Sequence, residues 1–143
     1  MERAVEHDDA PELRDRLAAL AAYGPKLETS GATFGVWVSS AGSLPYVELS
    51  PLGTAFCRTC GQHGWLLTNF EWPLWSATDE CTRLREDHEA IAAATPDQLA
   101  HLLTTLIRRD QFMEGTLLNA FESGLIGRIV KRASALLLAS YDA

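Results

Sequence analysis

The sequence predicts a mainly α, α+β domain of about five helices with one small β-hairpin. Three observations carry this prediction. Apolar residues recur at helical spacing through the last third of the chain, cap and stop residues sit at the ends of those stretches, and two short segments rich in β-formers flank a polar, glycine-containing loop. With 143 residues and 47% hydrophobic content the chain supports one core. We therefore expect a single domain over 1–143, with residues 1–8 as a disordered tail and residues 95–139 as a C-terminal three-helix layer.

In chain order, Asp9 and Pro11 open the first helix, whose inner face is Leu13, Leu17, Leu20 and Ala21, and Gly24-Pro25 ends it. Phe34-Gly35-Val36-Trp37-Val38 and Pro45-Tyr46-Val47-Glu48-Leu49, separated by residues 39–43, read as a hairpin. A lone hairpin is marginal in water, so this one must lie against helices or gain a third strand. Ser50-Pro51 is a cap followed by proline at the first helical position, with Leu52, Phe56 and Cys60 on one side. The charged stretch 79–89 shows no such pattern and reads as unstructured.

Thr95, Pro96 and Gln98 form a capping-box signature. Leu99, Leu102, Leu103, Leu106 and Ile107 then place five large side chains on one helical stripe. A second helix is expected over 112–123, with Leu117, Leu118 and Phe121 inward and Gly124 as its stop. A third begins near Leu125, with Ile126, Ile129, Val130, Ala133, Leu136 and Leu137 inward and Arg128, Lys131 and Arg132 facing away. Short connections force these helices to pack on one another.

Twelve basic against 19 acidic residues give a net charge of -7, which argues against nucleic-acid binding. No apolar run approaches the ~20 residues of a membrane helix, and Met1-Glu2-Arg3 opens no apolar signal segment. A cytoplasmic protein is expected, without membrane contact. Three cysteines, an odd number, fit reduced thiols rather than a disulfide framework.

Cys57-Arg58-Thr59-Cys60 resembles half of a zinc knuckle that Cys81 and His88 would complete. Six residues part Cys81 from His88, wider than the usual second ligand pair, and cysteines at i and i+3 on an amphipathic helix are small buried hydrophobes. The core reading is preferred, so neither metal ligand nor cofactor is expected, and a zinc-stabilised domain is the alternative. Mid-helix placement also counts against thiol exchange, which uses a helix N-terminus.

Phe70-Glu71-Trp72-Pro73-Leu74-Trp75 is an aromatic cluster, read first as a linker pinned by its rings. Arg108 and Asp110 end one helix and Glu114 starts the next, so their charges suit the helix termini and lock the corner. The functional alternative gathers Trp72, Trp75, Arg108, Asp110 and Glu114 into one ligand- or partner-binding site.

Several runs carry a resemblance. They are Phe70-x-Trp72-x-x-Trp75, Leu103-Thr104-x-Leu106-Ile107-Arg108-x-Asp110-Gln111-Phe112-x-Glu114-Gly115, Glu122-Ser123-Gly124-x-Ile126 and Ile129-Val130-Lys131-Arg132, with Gly35-x-Trp37 through Pro45-Tyr46-Val47-Glu48 in the hairpin. Over residues 33–137 the chain resembles a family of small bacterial proteins of unknown function, which implies an α-rich bacterial domain and no defined activity or ligand. Gln111 stands where that pattern has a second basic residue, and the Cys57/Cys60 pair has no counterpart in it.

No nucleophile-base pair or phosphate loop stands out, so no catalytic residue is assigned and the chain leans away from an enzyme. The function expected first is a non-catalytic protein-interaction or regulatory module that binds a protein partner or itself. A small-molecule-binding protein or enzyme built on the Trp/Arg/Glu constellation is the alternative.

Overall fold

The computed structural model describes the backbone of residues 2–142 and the side chains of residues 12–142. Helix α1 spans Glu2–Ala21, and α2, Gly24–Glu28, follows after one turn. Strands β1, Gly35–Val38, and β2, Tyr46–Leu49, form an antiparallel pair in which Trp37 faces Val47. The remaining helices are α3 (Pro51–Gln62), α4 (Trp72–Ser76), α5 (Asp79–Glu86), α6 (His88–Ala92), α7 (Pro96–Asp110), α8 (Thr116–Glu122) and α9 (Leu125–Ser140). The molecule is thus mainly α with a single two-stranded hairpin, as expected.

Four short helices were not expected: α2, α4, α5 and α6. Gly24-Pro25 does not simply end α1, because proline at a first-turn position opens α2. The charged stretch 79–89 is not unstructured. Thr78 accepts the Cys81 N–H and caps α5, Asp87 accepts the Glu89 N–H and caps α6, and Cys81, Leu84 and Ile91 are buried. Its apolar residues are too few and too widely spaced to show a helical period, whereas the caps are local and specific. Residues 2–8, expected as a tail, lie in the backbone span of α1, and their side chains fall outside the described residues.

The core is built around α7. Thr95 and Gln98 complete the capping box in both directions, at 3.1 and 2.9 Å. Leu99, Leu102, Leu103, Leu106 and Ile107 are all buried, but so are Ala100, Thr104 and Thr105. The helix is therefore enclosed on nearly every side rather than along one stripe. α1 lies along α9, and α8 and α9 pack on α7. Leu17 and Leu20 from α1, Phe56 and Cys60 from α3, and Ile126, Ile129 and Ala133 from α9 close the interior. Phe34 links the hairpin to this core, its ring stacked on Phe121 at 4.8 Å and tilted against Phe56 at 5.2 Å.

Ser50 caps α3 through the Gly53 N–H at 3.0 Å. Gly53 is required there, because a Cβ would run into the Phe34 carbonyl. The end of α3 delivers Trp65, which is fully buried; its indole N–H donates to the Arg16 carbonyl at 2.9 Å, while the Arg16 guanidinium lies 4.5 Å from the ring centroid.

Leu102→Asp is expected to abolish cooperative urea unfolding followed by circular dichroism, because it puts a charge in a fully apolar site. Leu102→Ala should instead retain the fold with a loss of about 2–5 kcal/mol, and Thr95→Ala should lose about 1 kcal/mol. A Leu102→Ala loss no larger than the Thr95→Ala loss would contradict this ranking.

Candidate functional site

The corner between α7 and α8 is built from backbone requirements. After Asp110 the chain turns through Phe112 and Met113, whose N–H groups both donate to the Arg109 carbonyl. It then enters α8 from Gly115 at φ 97°. The expected helix over 112–123 thus begins at Thr116. Asp110, rather than Glu114, satisfies the new helix: its carboxylate accepts the Leu117 N–H at 3.0 Å. Glu114 instead reaches the hairpin, its carboxylate accepting the Val47 N–H at 2.8 Å.

That contact docks β2 onto the corner, and Trp37 completes it from β1. A Cβ on Gly115 would lie 2.6 Å from the Trp37 ring, so only glycine allows both the left-handed turn and the close approach. Trp37 remains 55% exposed, and Phe112 at the tip of the turn is 77% exposed. Trp72, half-buried at the start of α4, stacks on Phe112 with centroids 6.2 Å apart. Val36, Tyr46, Leu74 and Met113 are further exposed apolar side chains on these same elements. Hairpin, corner and α4 therefore present a surface of solvent-facing rings.

The edges of the hairpin are blunted. Thr33 Oγ1 receives the Gly35 N–H at 3.3 Å and donates to the Gly35 carbonyl at 2.9 Å, while Glu114 occupies the Val47 N–H. Side chains, more than unpaired backbone, are what this surface offers.

The five residues singled out from the sequence are distributed over this region. Trp72 belongs to the ring surface, Asp110 and Glu114 hold backbone N–H groups, and Arg108 is half-buried without a hydrogen bond among the described residues. Trp75 points elsewhere, packing against Phe70 and His101 and donating its indole N–H to Glu80 at 2.8 Å. Glu80 also accepts from the Gln98 amide at 2.8 Å, and these two bonds, Gln98 first, hold its carboxyl below the usual range. The cavities at α5–α8, beside α1 and α3, between α6 and α9 and at α5–α6 are not lined by these five side chains.

Sequence reasoning missed Trp37 and Phe112 as surface features. The β-former content of the hairpin does not say which side chains face the helices, and the expected helix over 112–123 includes Phe112.

The cysteines are spread through the interior. Cys60 and Cys81 are buried, Cys57 is half-buried and His88 is exposed on α6. Among the described residues no three His, Cys, Asp or Glu side chains converge as metal ligands. Burial pushes the Cys57 thiol up to about 11, with the nearby Asp110 carboxylate adding to it. Burial also raises the Cys60 and Cys81 thiols. All three are thereby poor nucleophiles near neutral pH.

Fold and surface together define a small, mainly helical domain with an aromatic face at a helix corner, and no helix among the described residues is long and apolar enough to cross a membrane. The chain belongs to a family of unknown function, DUF6508, whose model matches residues 12–138. No curated protein and no solved structure matches it.

Gly115→Ala is expected to cost about 1–3 kcal/mol in urea unfolding, combining left-handed backbone strain with the Trp37 clash. In a Trp37→Ala background the steric part should vanish; an undiminished penalty would mean the ring does not set the turn.

Below the ordinary thiol range the folded and unfolded states hold the same Cys57 proton. Above pH 9 the unfolded chain loses it first, so this group's contribution to stability falls until pH 11. The loss of unfolding free energy between pH 8 and pH 10.5 should be smaller in Cys57→Ala than in the parent by about 2 kcal/mol. Equal losses in the two proteins would count against the raised thiol.

Proposed function

We propose that the protein is a non-catalytic protein-interaction or regulatory module of a bacterial cytoplasm, docking through the aromatic face formed by the hairpin, the α7–α8 corner and α4. The observation that carries this reading is the exposure of Trp37 and Phe112 on adjoining elements fastened together by Gly115 and Glu114. Large solvent-facing rings on a rigid frame lose little entropy on docking, and contiguous exposed apolar surface marks interaction sites. Met113 extends the face and Trp72 supports Phe112 from below, whereas strand alternation puts Val36 and Tyr46 on the opposite side of the hairpin. The partner is a protein surface with complementary apolar side chains, either a second copy of this chain or another protein. The alternative of a small-molecule site on Trp72, Trp75, Arg108, Asp110 and Glu114 is weakened by the engagement of Asp110 and Glu114 with backbone N–H groups and of Trp75 with Glu80.

A photo-crosslinking residue at position 37 or 112, introduced in cells, should give a discrete protein adduct. The same residue at position 138, exposed on α9 away from the corner, should give none. Phe112→Ser should remove the position-37 adduct while changing unfolding free energy by no more than about 0.5 kcal/mol. No adduct at either site, or equal yields at 37, 112 and 138, would overturn the proposal.

A further inference from the structure

The sequence places Arg128, Lys131 and Arg132 on the outward face of the last helix, but the fold does something different with them. A cavity of about 450 Å³ lies between α6 and α9, lined by these three cations together with His88, Ile91 and Ala135. Arg128 and Arg132 are half-buried rather than solvated. Arg132 is fixed by donation of its Nε–H to the Ala94 carbonyl at 2.8 Å, a bond that engages neither terminal nitrogen. Among the described residues Arg128 reaches only the Ser123 carbonyl, at 3.4 Å through one terminal nitrogen, and its buried Nε has no partner.

Among the described residues no acid lines this cavity, although the chain carries 19 acids against 12 bases. Three cations around one cavity, with no carboxylate beside them among the described residues of an acidic protein, suit an anion supplied from outside. The buried Ile91 and the small Ala92 and Ala135 give the cavity an apolar wall. Its volume lies within the range of small-molecule pockets, about 300–1,000 Å³, and well beyond one inorganic phosphate.

We infer that the cleft between α6 and α9 binds a small organic anion, with a phosphate or carboxylate head on Arg128, Lys131 and Arg132 and a compact apolar body against Ile91 and Ala135. This site is separate from the aromatic face and does not depend on it. The geometry favours a small ligand over a nucleic-acid backbone, because the cations converge on one cavity rather than tracking along a surface, and the net charge of -7 repels a polyanion.

The test is a titration of the full chain, uniformly labelled with nitrogen-15, with phenyl phosphate and in parallel with inorganic phosphate. Saturable amide shifts confined to residues 88–94 and 128–135 are expected for phenyl phosphate, with inorganic phosphate binding about tenfold or more weakly for want of the apolar contact. Lys131→Gln, an exposed position that leaves the core intact, should weaken phenyl phosphate binding about tenfold or more. Arg128→Gln should do the same, with unchanged spectra elsewhere reporting an intact fold. No saturable shift, shifts spread over unrelated surface, or equal affinity in Lys131→Gln would overturn the inference. Tighter binding of a short single-stranded oligonucleotide than of phenyl phosphate would do so as well.

Discussion

The structure depends on a helix with almost no outside. α7 is enclosed for two turns, so its threonines must find hydrogen-bond partners away from water, and each does so differently. Thr105 donates back to the His101 carbonyl within the helix at 2.8 Å. Thr104 reaches across to the chain after α3, accepting the Leu67 N–H at 2.9 Å and donating to the Trp65 carbonyl at 3.1 Å. An unsatisfied buried hydroxyl costs about 1–3 kcal/mol, so these bonds constrain the fold more than their modest net stabilisation implies. The Thr104 pair fixes where residues 65–67 run, which seats the Trp65 ring under Arg16 and so ties α3 to α1.

The geometry at the end of α7 follows from the same enclosure. A helix held this firmly delivers Asp110 at a defined place, and the chain must reverse there to bring α8 back onto it. Asp110 accepts the Leu117 N–H in the first turn of α8, and the turn projects Phe112 and Met113 outward. Glu114 is then left for the hairpin, and a carboxylate on the Val47 N–H gives a two-stranded sheet the support that a third strand would otherwise provide. The solvent-facing rings are consequently placed by interactions that do not involve the rings themselves, apart from the close approach of Trp37 to Gly115.

Much of this was legible in the sequence where the signal is local. The Thr95/Gln98 capping box, the Ser50-Pro51 start of α3, the apolar stripe of α7 and the hairpin segments all appear within a residue or so of their expected places. What sequence did not show depends on contacts between distant residues. Trp65 follows Gly64 with no periodic neighbours, and only the packing of α1 and α7 makes it a core residue. Asp110 and Glu114 are chemically interchangeable as caps, and only the position of the hairpin decides between them. The apparently polar stretch 79–92 buries just Cys81, Leu84 and Ile91, too few positions to display a period, yet enough to seat two short helices once Thr78 and Asp87 cap them. Arg128 and Arg132 look like an ordinary solvated helix face until α6 closes over them.

That last arrangement carries positive charge with no carboxylate in its lining among the described residues. The excess of seven negative charges favours a cation anywhere on the protein, but at physiological salt the Debye length is about 8 Å, so distant carboxylates contribute little to a half-buried guanidinium. Local groups must do the work, and those on Arg128 are one long bond to a carbonyl and an apolar wall. The aromatic face has the opposite character. Its polar backbone is satisfied by Thr33 and Glu114, and what it leaves exposed is hydrocarbon. Among the described residues one surface thus lacks a counter-charge and the other lacks apolar cover, so the two proposed sites differ in the chemistry each would accept.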